Sequence, residues 1–96
     1  MYARTVSGVT QPGRLDDLIA IYRDSVAPAA KQQKGFVGAY LLTSGEGKGM
    51  SVTLWETEAD MTAGQASGYL QEQIGKLGAL LTAPPVTENY EVKVQA

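Results

Sequence analysis

The chain has 96 residues, 44% hydrophobic and 19% charged, with a formal net charge of −2. That is the size and balance of one folded domain, and the mild acidity with no clustered Lys or Arg excludes a general grip on nucleic-acid phosphates. Cysteine and histidine are both absent, which excludes disulfides, thiolate nucleophiles, cysteine-bound zinc or iron–sulfur clusters, a Ser–His triad and a histidine-ligated haem.

Tyr2 to Val9 mixes β-branched, aromatic and small polar residues and reads as a strand, with Tyr2, Arg4 and Val6 on one face. Thr10-Gln11-Pro12-Gly13 breaks it, and Pro12 suits the first turn of a following helix. Leu15, Leu18, Ile19, Tyr22 and Val26 then form one helical stripe, so a helix is expected from Arg14 to about Gln32. It should bend near Pro28, which cannot donate to the carbonyl of Asp24. Phe36 to Thr43 is the second strand. Phe36, Gly38, Tyr40 and Leu42 alternate there with Val37, Ala39 and Leu41, so both faces are apolar and both need cover.

The glycine-rich turn Ser44 to Gly49 leads into a third strand, Met50 to Glu56, completing a hairpin. Its Gly-Lys pair lacks the residues of a phosphate loop. Thr57 reads as a helix N-cap with Glu58 and Asp60 in the first turn. That helix should run to about Ala66 and break at Ser67-Gly68. A further helix carries Leu70, Ile74, Leu77 and Leu81 as its stripe, and close packing is expected at Gly75 and Gly78. Ala83-Pro84-Pro85 ends it, and Val86 to Val94 closes the chain as a strand.

The order βαββαβ predicts a single α+β domain over residues 1–96, a ferredoxin-like sandwich with an antiparallel sheet and helices on one face. The second apolar face of the sheet predicts a homodimer joined through the sheets. No run approaches the ~20 apolar residues of a membrane span. Met1 to Thr5 lacks the basic-then-apolar pattern of a secretory signal. The expectation is a cytoplasmic protein with no membrane or nucleic-acid partner.

Three stretches, Gly35-Phe36-Val37-Gly38-Ala39-Tyr40-Leu41-Leu42, Leu54-Trp55-Glu56-Thr57-Glu58-Ala59-Asp60-Met61, and Pro84-Pro85 leading to Tyr90-Glu91-Val92, together resemble the antibiotic biosynthesis monooxygenase family of the dimeric α+β barrel superfamily. The resemblance implies the same fold, pairing as a dimeric α+β barrel. It also implies oxygenation of an electron-rich phenol or quinol with no cofactor. Members that oxidise aromatic polyketides resemble one another in an Asn-x-x-x-Trp strand with a Tyr six positions on. Here the Trp is Trp55, while Ser51 and Met61 occupy the other two positions. Haem-degrading members need a strand Asn, a helix Trp and a helix His. The corresponding places hold Val6 or Ser7, Gly64 and Ile74, so no haem chemistry is expected.

The candidate ligand residues follow from side-chain chemistry. Trp55 with Ser51 and Thr53 on its strand face would wall a pocket and supply hydroxyls, against the alternative of a purely structural tryptophan. Tyr22, Tyr40, Tyr69 and Tyr90 could add phenols. Arg4 needs a partner in mid-strand, either a neighbouring Glu56 or Glu91 or a ligand carboxylate or phenolate. Asn89 could donate to an oxyanion or bridge strands. Glu56, Glu58 and Asp60 suit capping better than a metal, and no metal site is expected. Three readings stand. One is a cofactor-free monooxygenase-like protein binding a small aromatic molecule between sheet and helices. The others are a non-catalytic binding or interaction module of the same fold, and an isomerase using Glu56 or Asp60 as base.

Overall fold

A computed structural model describes residues 1–96. Four strands, β1 (Tyr2–Val9), β2 (Phe36–Thr43), β3 (Lys48–Trp55) and β4 (Val86–Glu91), form one antiparallel sheet in the order β2-β3-β1-β4. The helices α1 (Leu15–Ile21), α2 (Ala27–Lys31), α3 (Glu58–Ala66) and α4 (Tyr69–Gly78) lie between the strands in sequence and cover one face. This is the expected ferredoxin-like arrangement. The core gathers Leu18, Tyr22 and Val26 from the first helical segment with Leu77 of α4 and Leu80 in the turn after it, and Ala39 and Leu41 of β2 pack against it.

The first helical segment does not bend simply at proline. A π-helical turn over Tyr22–Val26 joins α1 to α2, with the Ala27 N–H reaching back to the Tyr22 carbonyl. The wider turn falls just before Pro28, which has no N–H to continue an ordinary ladder, and so accommodates the missing donor. Pro12 and Gly13 form a turn ahead of α1, closed by the Arg14 N–H donating to the Gln11 carbonyl at 3.0 Å, and Pro12 is not itself in the helix.

β2 departs from simple alternation. A register shift between Phe36 and Gly38 pairs Phe36 with Trp55 but Gly38 with Leu54. An extra residue of this kind reverses the faces beyond it. Phe36 therefore packs edge-on to the buried Trp55, with ring centroids 5.9 Å apart. Ala39 and Leu41 point to the helices, and Tyr40 and Leu42 to the outer face. β4 stops at Glu91, three residues earlier than its alternation predicts. Val92 still donates to the Met1 carbonyl at 2.9 Å, but Val94 is 85% exposed and belongs to no strand.

Thr57 caps α3 as expected, its hydroxyl accepting from the Asp60 N–H at 3.1 Å. α3 and α4 meet at Gly68, whose φ of 82° lies where glycine alone is unstrained. Gly64 is also sterically required. A Cβ there would stand 2.9 Å from Cδ2 of Tyr69, so the missing side chain lets the Tyr69 ring fold onto α3. Close packing does not explain Gly75, where a Cβ would meet nothing within 4 Å. No helix is long and apolar enough to cross a membrane.

Candidate functional site

Between α4 and the sheet lies a cavity of about 20 Å³, room for roughly one water molecule. Its wall includes Arg4 of β1, Ser51 and Thr53 of β3, Val26 of the π-helical turn, and Tyr69, Gln73 and Ile74 of α4. A second cavity of about 20 Å³ adjoins it, sharing Val6, Ser51 and Leu77. The helix–sheet layer is thus under-filled at two neighbouring places beneath α4.

Strand register explains why the polar residues converge. Arg4 pairs with Thr53, and Val6 with Ser51, and side chains of paired residues share a face. Ser51 and Thr53 are both buried and both hydroxyls are engaged. Tyr22 donates to the Tyr40 carbonyl at 3.1 Å, and its oxygen lies 2.9 Å from Ser51 Oγ. A phenol has one proton, so Ser51 is the donor to Tyr22. Thr53 Oγ1 accepts from the Trp55 indole N–H at 3.0 Å. Burial raises the pKa of the Tyr22 phenol, partly offset by the Ser51 hydrogen bond. Burial likewise raises that of Tyr69. Both are neutral near pH 7 and act as hydrogen-bonding groups, not as bases.

Arg4 is only 1% exposed. Its Nη2 donates to the Met61 carbonyl, and its guanidinium sits 5.9 Å from the centre of the Trp55 ring. Neither expected carboxylate reaches it. Its β4 partner is Asn89, Glu91 pairs with Lys93 at 3.1 Å on the surface, and Glu56 is exposed.

Trp55 packs as structural core rather than as a pocket wall. It is fully buried and lines neither cavity beneath α4. Held by Thr53, Phe36 and Arg4, it stands behind the cavity as packing for the cation that borders it. Tyr22 reaches the site through Ser51. Tyr40 is 56% exposed on the outer face of the sheet, and Tyr90 is also exposed. Asn89 borders a separate surface groove of about 300 Å³ with Tyr2, Glu58 and Thr62. Glu56 and Asp60 line neither cavity beneath α4, so the geometry provides no carboxylate base for an isomerase there.

Gln73 is a further polar residue of the site. It is buried, and its Oε1 accepts from Ser25 Oγ at 3.1 Å, which in turn accepts from Lys76 Nζ at 2.9 Å. This polar clasp ties α4 to the π-helical turn. The sequence did carry a signal for it, since Gln73 falls three residues after Leu70 inside the apolar stripe of α4.

The roomiest hollow, about 500 Å³, is elsewhere. It lies over Ser7, Val9, Leu42, Lys48 and Met50 at the hairpin end of the sheet and holds no ionisable group except Lys48. It is a concavity of the twisted outer face, and Arg4, Tyr22 and Tyr69 do not line it.

The sequence model of the antibiotic biosynthesis monooxygenase family matches residues 1–74. No curated protein sequence matches the chain. Among solved structures, a protein from Bordetella bronchiseptica classed with the antibiotic biosynthesis monooxygenases is 27% identical, with a TM-score of 0.81 over 98% of this chain and 97% of its own. The monooxygenase ActVA-Orf6 of Streptomyces coelicolor, solved with nanaomycin D, is 19% identical, with a TM-score of 0.83 over 99% of this chain and 89% of its own. SnoaB, a cofactor-independent oxygenase from Streptomyces nogalater, solved as its N63A mutant, is 17% identical, with a TM-score of 0.79 over 98% of this chain and 95% of its own. The last two likenesses are of fold. With the family match over residues 1–74 and the βαββαβ sheet behind it, the chain belongs to the antibiotic biosynthesis monooxygenase family.

Proposed function

We propose that the protein is a homodimeric, cofactor-independent monooxygenase that lodges a small phenol or quinol between α4 and the sheet. The observation that carries this reading is the pair of adjoining cavities around Ser51, one of them bordered by Arg4 and Tyr69. As they stand the cavities admit a water-sized group, and an aromatic ring needs several times that space. Gly68 provides a hinge at the base of α4, and displacement of Leu77, which lines both cavities, would merge them. The bound ligand of ActVA-Orf6 and the cofactor-independent chemistry of SnoaB support the reading by analogy.

The chemistry asks little of the protein. The ionised substrate gives an electron to O₂, and the resulting radicals combine at an unsubstituted ring carbon. One oxygen atom stays there as a carbonyl, and the other leaves as water with that carbon's hydrogen and the proton released when the hydroxyl ionised. The chain's own part is to exclude water, orient the ring and hold its oxygen substituents with Ser51, Thr53 and Tyr69.

One observation favours a second reading, a binding module without turnover. Ser51 and Met61 stand where the oxygenase pattern has Asn and Tyr, and the Met61 carbonyl is occupied by Arg4. An oxygen electrode separates the two. With a naphthohydroquinone and a metal chelator present, protein-dependent oxygen uptake that the chelator leaves unchanged supports the oxygenase. Saturable binding without uptake supports the module, and neither result would reject the site.

The dimer rests on the outer face of the sheet. Tyr40 and Leu42 of β2, Met50 of β3, and Val86 and Tyr90 of β4 are all exposed there, and register places Leu42, Met50, Ser7 and Val86 in one row across all four strands. A largely apolar row of this kind, interrupted only by the small Ser7, fits a second copy of itself about a two-fold axis.

A further inference from the structure

Every ion pair in the chain lies on the surface, and none includes Arg4. Its Nε and Nη1 are buried without any hydrogen-bond partner, and no carboxylate comes within 4.0 Å of it. A guanidinium keeps its charge in proteins, and burying a charge that is neither paired nor fully hydrogen-bonded is costly. The Trp55 ring face offsets part of that cost. The titratable groups facing it are Tyr69 from α4 and, beyond it, Tyr22 from the π-helical turn, and both are neutral near pH 7. A water molecule in the adjoining cavity would satisfy hydrogen bonds and leave the charge uncompensated. An oxyanion would do both.

We infer that Arg4 is the anion receptor of the proposed site, and that its ligand carries an aryl oxyanion, a phenolate or carboxylate, seated against Nε and Nη1 beside Tyr69. The inference rests on the reading that an aromatic molecule lodges beneath α4. The cavity Arg4 borders has room for one oxygen-sized group, so the ionised substituent enters first and the ring follows as α4 yields. Arg4 then selects the ionised form of a phenol, the form that donates an electron to O₂.

Absorption titrations with 4-nitrophenol and its neutral analogue 4-nitroanisole test this. The bound nitrophenol should show the phenolate band at a pH where the free probe is mostly neutral, with its apparent pKa lowered by about one unit, a tenfold preference for the anion. Arg4→Met should fold, since it replaces an unpaired buried cation with apolar volume, and should lose that preference. Arg4→Lys, a charge without the planar fork, should keep only part of it. Displacement of the probe by benzoate would assign carboxylates as well as phenolates, and its failure would restrict the ligand to phenolates. Equal affinity for nitrophenol and nitroanisole would overturn Arg4 as receptor while leaving the site intact. Binding of neither would overturn the site and the receptor together.

Discussion

Removing the Tyr22 hydroxyl probes the link between the π-helical turn and the sheet. Tyr22 donates to the Tyr40 carbonyl and accepts from Ser51 Oγ, and Ser51 is only 6% exposed. Each bond contributes about 0.5–1.5 kcal/mol net, and an orphaned buried hydroxyl costs about 1–3 kcal/mol. Tyr22→Phe should therefore destabilise by roughly 1.5–3 kcal/mol, a fall in Tm of about 6–24 °C for a domain of this size. Ser51→Ala removes the donor and leaves Tyr22 bonded to the Tyr40 carbonyl, so it should cost only about 0.5–1.5 kcal/mol. The double variant has no orphaned Ser51 hydroxyl, and its cost should fall short of the sum by about 1 kcal/mol. Urea unfolding at one fixed protein concentration measures all four proteins under the same association equilibrium. Additivity within about 0.3 kcal/mol would mean that Tyr22 and Ser51 do not interact, and the donor assignment would be wrong.

Trp55→Ala empties a fully buried position and should cost about 3–5 kcal/mol in chemical denaturation, whereas a cost under about 1 kcal/mol would contradict its packing role. The phenols of Tyr22 and Tyr69 have pKa values raised by burial, so the fold favours their neutral forms. Their contribution is complete below about pH 10 and is lost as pH rises through the folded-state values, so the urea midpoint should fall more steeply above about pH 10 in the wild type than in Tyr22→Phe/Tyr69→Phe. Sedimentation should give a dimer for the wild type and a folded monomer for Leu42→Glu, which places a charge in the apolar row of the outer face. A wild-type monomer at micromolar concentration would remove the dimer from the account.

Features set by local chemistry were legible in the sequence. The strand period of Tyr2 to Val9, the Thr57 cap and the helix break at Ser67-Gly68 each depend on a few consecutive residues, and the structure has all three. The bulge at Phe36 was not legible, because an extra residue leaves the alternation looking regular on either side and only pairing with β3 exposes it. β4 ends early for a related reason. Alternation continues to Val94, but β1 begins at Tyr2, which pairs with Glu91, and supplies no partner beyond. In the site, the shared face of Ser51, Thr53 and Trp55 followed from period two. How deep each lies did not, since depth depends on α4 and β2. The isolation of Arg4 was the least legible feature. Sequence shows carboxylates on nearby strands, and only register reveals that Thr53 and Asn89 stand opposite it.

Amide and side-chain NMR shifts during titration with 1,5-dihydroxynaphthalene test most directly whether an aromatic ligand lodges beneath α4. Saturable changes should centre on Arg4, Ser51, Thr53, Tyr69, Gln73 and Ile74, with smaller changes at the Gly68 hinge and the Ser25–Gln73 clasp. Changes confined to Val9, Leu42, Lys48 and Met50 on the outer face of the sheet would contradict that site and place the ligand in the hollow over the hairpin.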